Sequence, residues 1–370
     1  MQFIGVDLHT NKFTCCYRDE KGPPDEKGKK VTETFELTDY GMAQFCRTLT
    51  AETYVLVEAT ITTFCFARII QPLVKEIIVA NTYELKQISM ARKNTDKIDA
   101  DILCRIIKMQ VLSGEKAISS VTIPPLEIQE LRGLFATYQL MKKQTTQIKN
   151  RIHSLLKEKL YGFTQEEIFD KKSRKMLREM KDEPVMSFQI DLFFTQLEHT
   201  ETLIETLQDK IKEQAVGFMR EIEILTSMKG VSVFIAIAII ADIISVDRFK
   251  NSKAFTSYLR SAPRVSNSNT SKSSLGTNKK GRRLSATLLT QSMHHALGVS
   301  VKLNKWYTRL TKYKKAGLVR TGLRRRLFAE MFQMLKKGEY HYGREKIKHE
   351  VKMSQYRNFL KKRKILLEIA

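Results

Sequence analysis

Phe3-Ile4-Gly5-Val6-Asp7 is a short apolar run that ends on a carboxylate, and Tyr54-Val55-Leu56-Val57-Glu58 repeats that form further along the chain. Short apolar runs closed by polar residues read as buried strands. In a parallel pair, carboxylates at two strand ends can meet at one sheet edge, and Asp7 and Glu58 are such a pair of strand-end acids. Working outward, Phe13–Tyr17 and Val31–Phe35 read as two more strands, with Gly22-Pro23-Pro24 and Lys27-Gly28-Lys29 as turns. Thr38-Asp39 suits the start of a helix to Leu49, a second helix runs to Val74, and Ile77-Ile78-Val79 is another strand. The next helix is expected from near Asp96 through Arg105-Ile106-Ile107. Residues 1–120 therefore read as an α/β domain.

Beyond Ile123-Pro124-Pro125 the pattern becomes helical. Residues 126–160 and 187–218 are long and charged, with Ile148, Ile152, Leu155 and Leu156 as one apolar stripe. Residues 121–220 are expected to form a helical coiled-coil arm, an element suited to association. Residues 221–370 read as a third, basic and all-α part. In it, Leu225–Ser232 is a turn between apolar helices, Pro263–Gly281 is a polar loop, and a basic helical tail starts at Trp306.

The net charge of +24, from 64 Lys and Arg against 40 Asp and Glu, calls for a polyanionic partner. Nucleic acid comes first and an anionic membrane surface second. The most apolar stretch, Val231–Ile244, is too short to span a bilayer and contains Asp242. The N-terminus has no basic n-region, and the cysteines, Cys15, Cys16, Cys46, Cys65 and Cys104, form no CxxC pair. Reduced thiols of a cytoplasmic protein, in a bacterial-type cytosol or nucleoid, are expected. From Arg248 to Ala329 there is no Asp or Glu, while the same stretch holds 20 Lys and Arg. An ordinary solvated face mixes both signs, so this stretch suits phosphate contact.

Asp96 and Asp99 lie three apart, which puts both on one face of a helix. Together with Asp7 and Glu58 they make four acids that are tolerable at one place only around cations. Oxygen donors of this kind suit Mg²⁺, and two ions would serve phosphodiester chemistry. Taken singly, each acid has a plainer reading: an Asp after a strand is a turn residue, and Asp99 pairs with Lys97 or Arg105. His9 beside Asp7 orients substrate or fills a turn. Lys279, Lys280, Arg282 and Arg283 flank Gly281 and suit phosphate contact with close backbone approach. Trp306, Tyr307 and Tyr313 offer base stacking, with helix packing the favoured alternative. His294-His295 reads as structural.

The acids sit in strings that resemble a known family. Gly5-Val6-Asp7-Leu8-His9, Val57-Glu58-Ala59-Thr60 and Lys93-Asn94-Thr95-Asp96-Lys97-Ile98-Asp99-Ala100 are similar to the DEDD motif of insertion-sequence transposases. That family includes the Piv-type invertases and the recombinases described as bridge-RNA-guided. Leu131-Arg132, Ile148–Ile152, Met228-Lys229-Gly230-Val231, Ser261-Ala262-Pro263-Arg264, Lys280-Gly281, Arg282-Arg283-Leu284, Trp306-Tyr307 and Arg324-Arg325-Arg326 continue the resemblance in order. Met228 and Lys229 depart from the family's usual helix-hairpin-helix residues.

The resemblance implies a ribonuclease-H-like (RuvC-like) first domain, a coiled-coil arm and a helical, serine-bearing transposase domain. It implies Mg²⁺ on Asp7, Glu58, Asp96 and Asp99, and nucleic-acid contacts by Arg324, Arg325 and Arg326 besides the residues around Gly281. It also implies a nucleophilic serine after the Ala-Pro string. Position matching favours Ser268, but Asn269 and Thr270 replace the usual glycines, so Ser266 and Ser271 stay open. The implied partners are donor and target double-stranded DNA and a structured guide (bridge) RNA. Several strand cuts per reaction lead one to expect a homodimer or tetramer. Two rivals stand beside this reading: a metal-dependent junction nuclease that uses water, and a non-catalytic nucleic-acid-binding protein.

Overall fold

A computed structural model describes residues 1–20, 31–82, 85, 95–180, 183–268, 271–277, 281–298 and 301–365, with backbone alone at 165, 166, 171, 263–268, 271–277, 296 and 302. Lys93 and Asn94 of the acidic strings, and Lys279 and Lys280 of the basic turn, lie outside these residues, as do both expected turn segments between residues 21 and 30. The chain divides into two compact units, Met1–Pro124 and Pro125–Ala370.

In the first unit the apolar runs form strands β1 (Gln2–Leu8), β2 (Lys12–Asp19), β3 (Val31–Glu36), β4 (Thr53–Glu58), β5 (Glu76–Ala80) and β6 (Ser120–Val121). They make one mixed sheet in the order β3-β2-β1-β4-β5-β6. β1, β4 and β5 are parallel, while β2 runs antiparallel to both its neighbours. This mixed α/β unit is consistent with the ribonuclease-H-like domain that the resemblance implies. β6, two residues long, carries no period that the sequence could reveal.

Alternation in β1 sorts its side chains between two cores. Ile4, Val6 and Leu8 join Val55 and Val57 under helices α1 (Asp39–Cys46) and α2 (Thr63–Ile70). Phe3 joins Leu56 and Ile78 on the other face, under helix α3 (Asp96–Ser113) through Ala100, Leu103, Cys104 and Ile107. Gly5 decides how closely α3 sits. A Cβ there would lie 2.2 Å from the Ala100 carbonyl oxygen and 2.2 Å from the Cys104 nitrogen. Only a residue without a side chain lets the helix backbone rest on the strand. Buried Asp101 pins the same helix by pairing with Arg18 of β2 and with Arg105.

The second unit begins with the long helix α4 (Leu126–Glu158), followed by short α5 (Gln165–Ile168) and α6 (Lys171–Arg178) and by long α7 (Pro184–Gln214). Gln214 bonds Glu130 near one end of the pair and Lys149 pairs with Glu201 further along, so α4 and α7 run antiparallel. At 33 residues α4 is about 50 Å long. Ile148, Ile152, Leu155 and Leu156 form the expected stripe and close a separate distal core with Ile190, Phe194 and Leu197.

The near ends of both helices share one core with the rest of the unit. At its centre lies α9 (Val233–Ile243), preceded by α8 (Met219–Thr226) and followed by α10 (Ser252–Tyr258). The segment expected as a polar loop is instead a hairpin of β7 (Pro263–Ser268) and β8 (Ser271–Thr277). Its serines and threonines gave no alternation of apolar residues, and an isolated ribbon needs none, because its ladder is held by backbone hydrogen bonds. Helices α11 (Leu284–Leu297), α12 (Val301–Thr311), α13 (Ala316–Lys337) and α14 (Lys346–Lys362) complete the chain. Among the described residues no helix is long and apolar enough to cross a membrane.

Candidate metal centre

Asp7 is the penultimate residue of β1. The parallel register ends at Val6 opposite Val57, which leaves Asp7 and Glu58 adjacent at the carboxyl ends of neighbouring strands. In open α/β sheets this edge is where ligands bind. Asp7 follows Phe3 and Gly5 in alternation, so it faces α3. Thr95 caps that helix by accepting from the Ile98 amide, which fixes where its first turn begins. Asp96 and Asp99 both fall in this first turn, where unpaired amides favour negative charge.

The result is a compact cluster. Ligand atoms of Asp7, His9 and Asp96 all lie within 4.8 Å of one another. His9 Nε2 is 3.1 Å from Asp7 Oδ2 and 3.3 Å from Asp96 Oδ1. Lys12 Nζ donates to Asp96 Oδ2 at 2.8 Å. Burial raises the Asp7 carboxyl above its ordinary value, and the charges of Asp99 and Asp96 add to that, while His9 opposes it. The Lys12 hydrogen bond holds Asp96 below the usual carboxylate range, with His9 helping. Asp99 is thus close enough to act on Asp7 electrostatically. Glu58 joins by backbone register, and its carboxylate is not among the three groups within ligand distance. The sequence left His9 unassigned and passed over Lys12. The HxxK spacing of the β1–β2 turn carries no recognisable motif.

The donor set fits a hard divalent cation. Clustered carboxylate oxygens suit Mg²⁺ or Mn²⁺, and one imidazole nitrogen is compatible with Mn²⁺. Asp7 is held away from water beside two other acids, a position that a nearby cation stabilises. Lys12 supplies part of that positive charge from the protein itself.

The other predicted residues lie in the second unit. β7 and β8 place Ser268 opposite Ser271 at the hairpin tip and Ser266 opposite Ser273. Arg282 pairs with Asp242, which is 1% exposed. Arg283 and Arg325 are exposed. Arg326 stacks over Trp306 at 4.0 Å, which favours packing over base stacking for that indole. Arg324 was expected to contact nucleic acid. Its guanidinium donates to Ser261 Oγ, Thr290 Oγ1 and the Arg260 carbonyl, so it also holds the protein's own structure together. That partnership was illegible because the three acceptors lie far away in the sequence.

Comparison with known families gives two matches. A transposase model of the DEDD, IS110 type matches residues 4–160. A model described as the transposase IS116/IS110/IS902 family matches residues 222–308. No curated protein matches the chain.

Proposed function

The chain belongs to the IS110-type DEDD transposases, and from that premise we propose that it cuts and rejoins DNA through a divalent-metal centre in the first unit and a serine in the second. DNA is the substrate class that membership implies. The observation that carries the proposal is the cluster of Asp7 and Asp96, from separate segments, with Asp99 acting on the same buried carboxylate. Unrelated turn residues would have no reason to converge at the carboxyl edge of the sheet.

In this reading Asp7, Asp96, Asp99 and Glu58 hold Mg²⁺, and two ions suit the number of acids. Bound there, divalent cations would polarise the scissile phosphodiester and stabilise the attacking and leaving oxygens. His9 orients Asp7 and Asp96 through its contacts to both. Ser268 is the first candidate nucleophile, with Ser266 and Ser271 behind it. Its Oγ forms a bond to phosphorus while one P–O ester bond breaks. The serine hydroxyl gives up its proton and the leaving oxygen gains one. The phosphoserine link conserves the ester for rejoining without ATP. A guide RNA is supported by the resemblance and permitted by the charge of +24. A dimer or tetramer would provide the several cuts that recombination needs.

Trapping the protein–DNA adduct with Mg²⁺ tests this. The adduct should map to Ser268 and vanish in Ser268→Ala. Strand hydrolysis that survives Ser266→Ala, Ser268→Ala and Ser271→Ala together would leave only the water-using nuclease. Asp7→Ala and Glu58→Ala with undiminished activity would leave only a binding protein.

A further inference from the structure

The second unit holds a cleft of about 570 Å³ lined by Arg132, Lys143, Arg260, Arg282, Arg283 and Asp242, among others. We propose that this cleft is a phosphodiester-binding subsite, in which Arg132, Lys143 and Arg260 join Arg282 and Arg283 in gripping a nucleic-acid backbone.

Five cations face one carboxylate here, and that carboxylate is already committed. Asp242 Oδ1 accepts from Arg282 Nε at 3.2 Å, and Oδ2 accepts from the Ser285 amide at 2.9 Å and the Ser285 hydroxyl at 2.8 Å. Among the described residues no carboxylate pairs with Arg132, Lys143, Arg260 or Arg283. Four positive charges therefore converge with no ion pair of their own among the described residues, an arrangement that an anion stabilises.

The cations are also aimed. Arg132 spends Nε on the Ala241 carbonyl and Nη2 on the Asp242 carbonyl, which fixes its fork and leaves Nη1 to act. Arg260 spends Nε on the Gly281 carbonyl at 2.8 Å. Arg260 itself sits at φ 50, and the Arg324 guanidinium clamps its carbonyl. Gly281, at φ 94, brings its backbone so close to Tyr258 that a Cβ would meet the Tyr258 carbonyl oxygen at 2.1 Å. Arg260, a residue with a side chain held in the left-handed region, is over-determined by its surroundings, as residues at binding sites are. Burial lowers the Arg132 guanidinium to about 10, and neighbouring Arg282 adds to the effect. Like charges crowded in this way favour a polyanion.

A phosphodiester chain fits better than a small carboxylate, because planar forks bind either anion in pairs but several cations spread along the lining match a row of phosphates. The source is duplex DNA or structured RNA, and the test has an arm for each. The inference rests on the nucleic-acid reading above.

The experiment measures binding of the full chain to a mixed-sequence duplex DNA and, separately, to an RNA hairpin, as a function of NaCl in EDTA. EDTA prevents strand chemistry, so binding is read alone. Lys143→Gln should lower the slope of log affinity against log salt by about one. Lys143→Gln with Arg260→Gln should lower it by about two, with at least one of the probes. Lys143→Arg should restore the slope. Lys143 has no partner among the described residues, so Lys143→Gln should keep the wild-type melting temperature. An unchanged slope with both probes overturns the subsite. So does an equal fall in Lys157→Gln, a cation on the same helix outside the cleft. Absence of any wild-type binding would instead overturn the nucleic-acid reading, and the subsite with it.

Discussion

Asp7 and Asp242 are both buried carboxylates, and the protein treats them in opposite ways. Asp242 is fully provided for: Arg282 and the two Ser285 donors take both its oxygens. Asp7 shares one histidine with Asp96 and sits beside more negative charge, so burial leaves its carboxyl raised. A buried charge with all partners in place joins elements together. A buried charge set among like charges is arranged for something that comes from outside. Asp242 orders the basic cleft, and Asp7 belongs to the acidic centre.

The sharpest break in that comparison is catalytic. Asp7→Asn and Asp96→Asn should each lower Mg²⁺-dependent strand cleavage by about 10²–10³-fold or more, while folding is kept. Asp242→Ala should act through folding instead. It leaves Arg282 without its partner and opens the first turn of α11, at a cost of about 3–5 kcal/mol in chemical denaturation. Gly5→Ala follows, at about 3 kcal/mol, because its Cβ would strike the backbone of α3. It should also weaken divalent-metal binding by displacing Asp96 and Asp99 together.

The smallest effect concerns pH. Folding raises the Asp7 carboxyl, so the folded state keeps a proton where the unfolded state has lost it. Stability from this group is highest below its ordinary value of 3.8 and falls as pH rises through the raised folded value. Asp7→Asn should therefore melt above the metal-free wild type at neutral pH, with the gap narrowing as the pH falls toward 3.8. Asp242→Asn should show no such gain, because its partners need the charge.

What the sequence made legible was local. Phe3–Asp7 and Tyr54–Glu58 carried their strands in their own composition, and the helix expected from near Asp96 is the one that brings Asp96 and Asp99 to the sheet edge. Gly5 was visible as a letter, but its purpose lies in residues about a hundred positions away. The pairing of Asp242 with Arg282 was hidden for the same reason: inside the run Val231–Ile244 the aspartate looked only like an argument against a membrane span. Arg324 looked like a surface cation because a triplet of arginines says nothing of which one turns inward. The hairpin at Pro263–Thr277 escaped because a polar ribbon has no apolar period.

The most direct test is calorimetric titration of the full chain with Mn²⁺, which shares the oxygen preference of Mg²⁺. Saturable binding is predicted for the wild type, with loss or strong weakening in Asp7→Asn and in Asp96→Asn alike and no change in Asp242→Asn. Equal binding by the wild type and both acidic-cluster variants would contradict a shared metal centre.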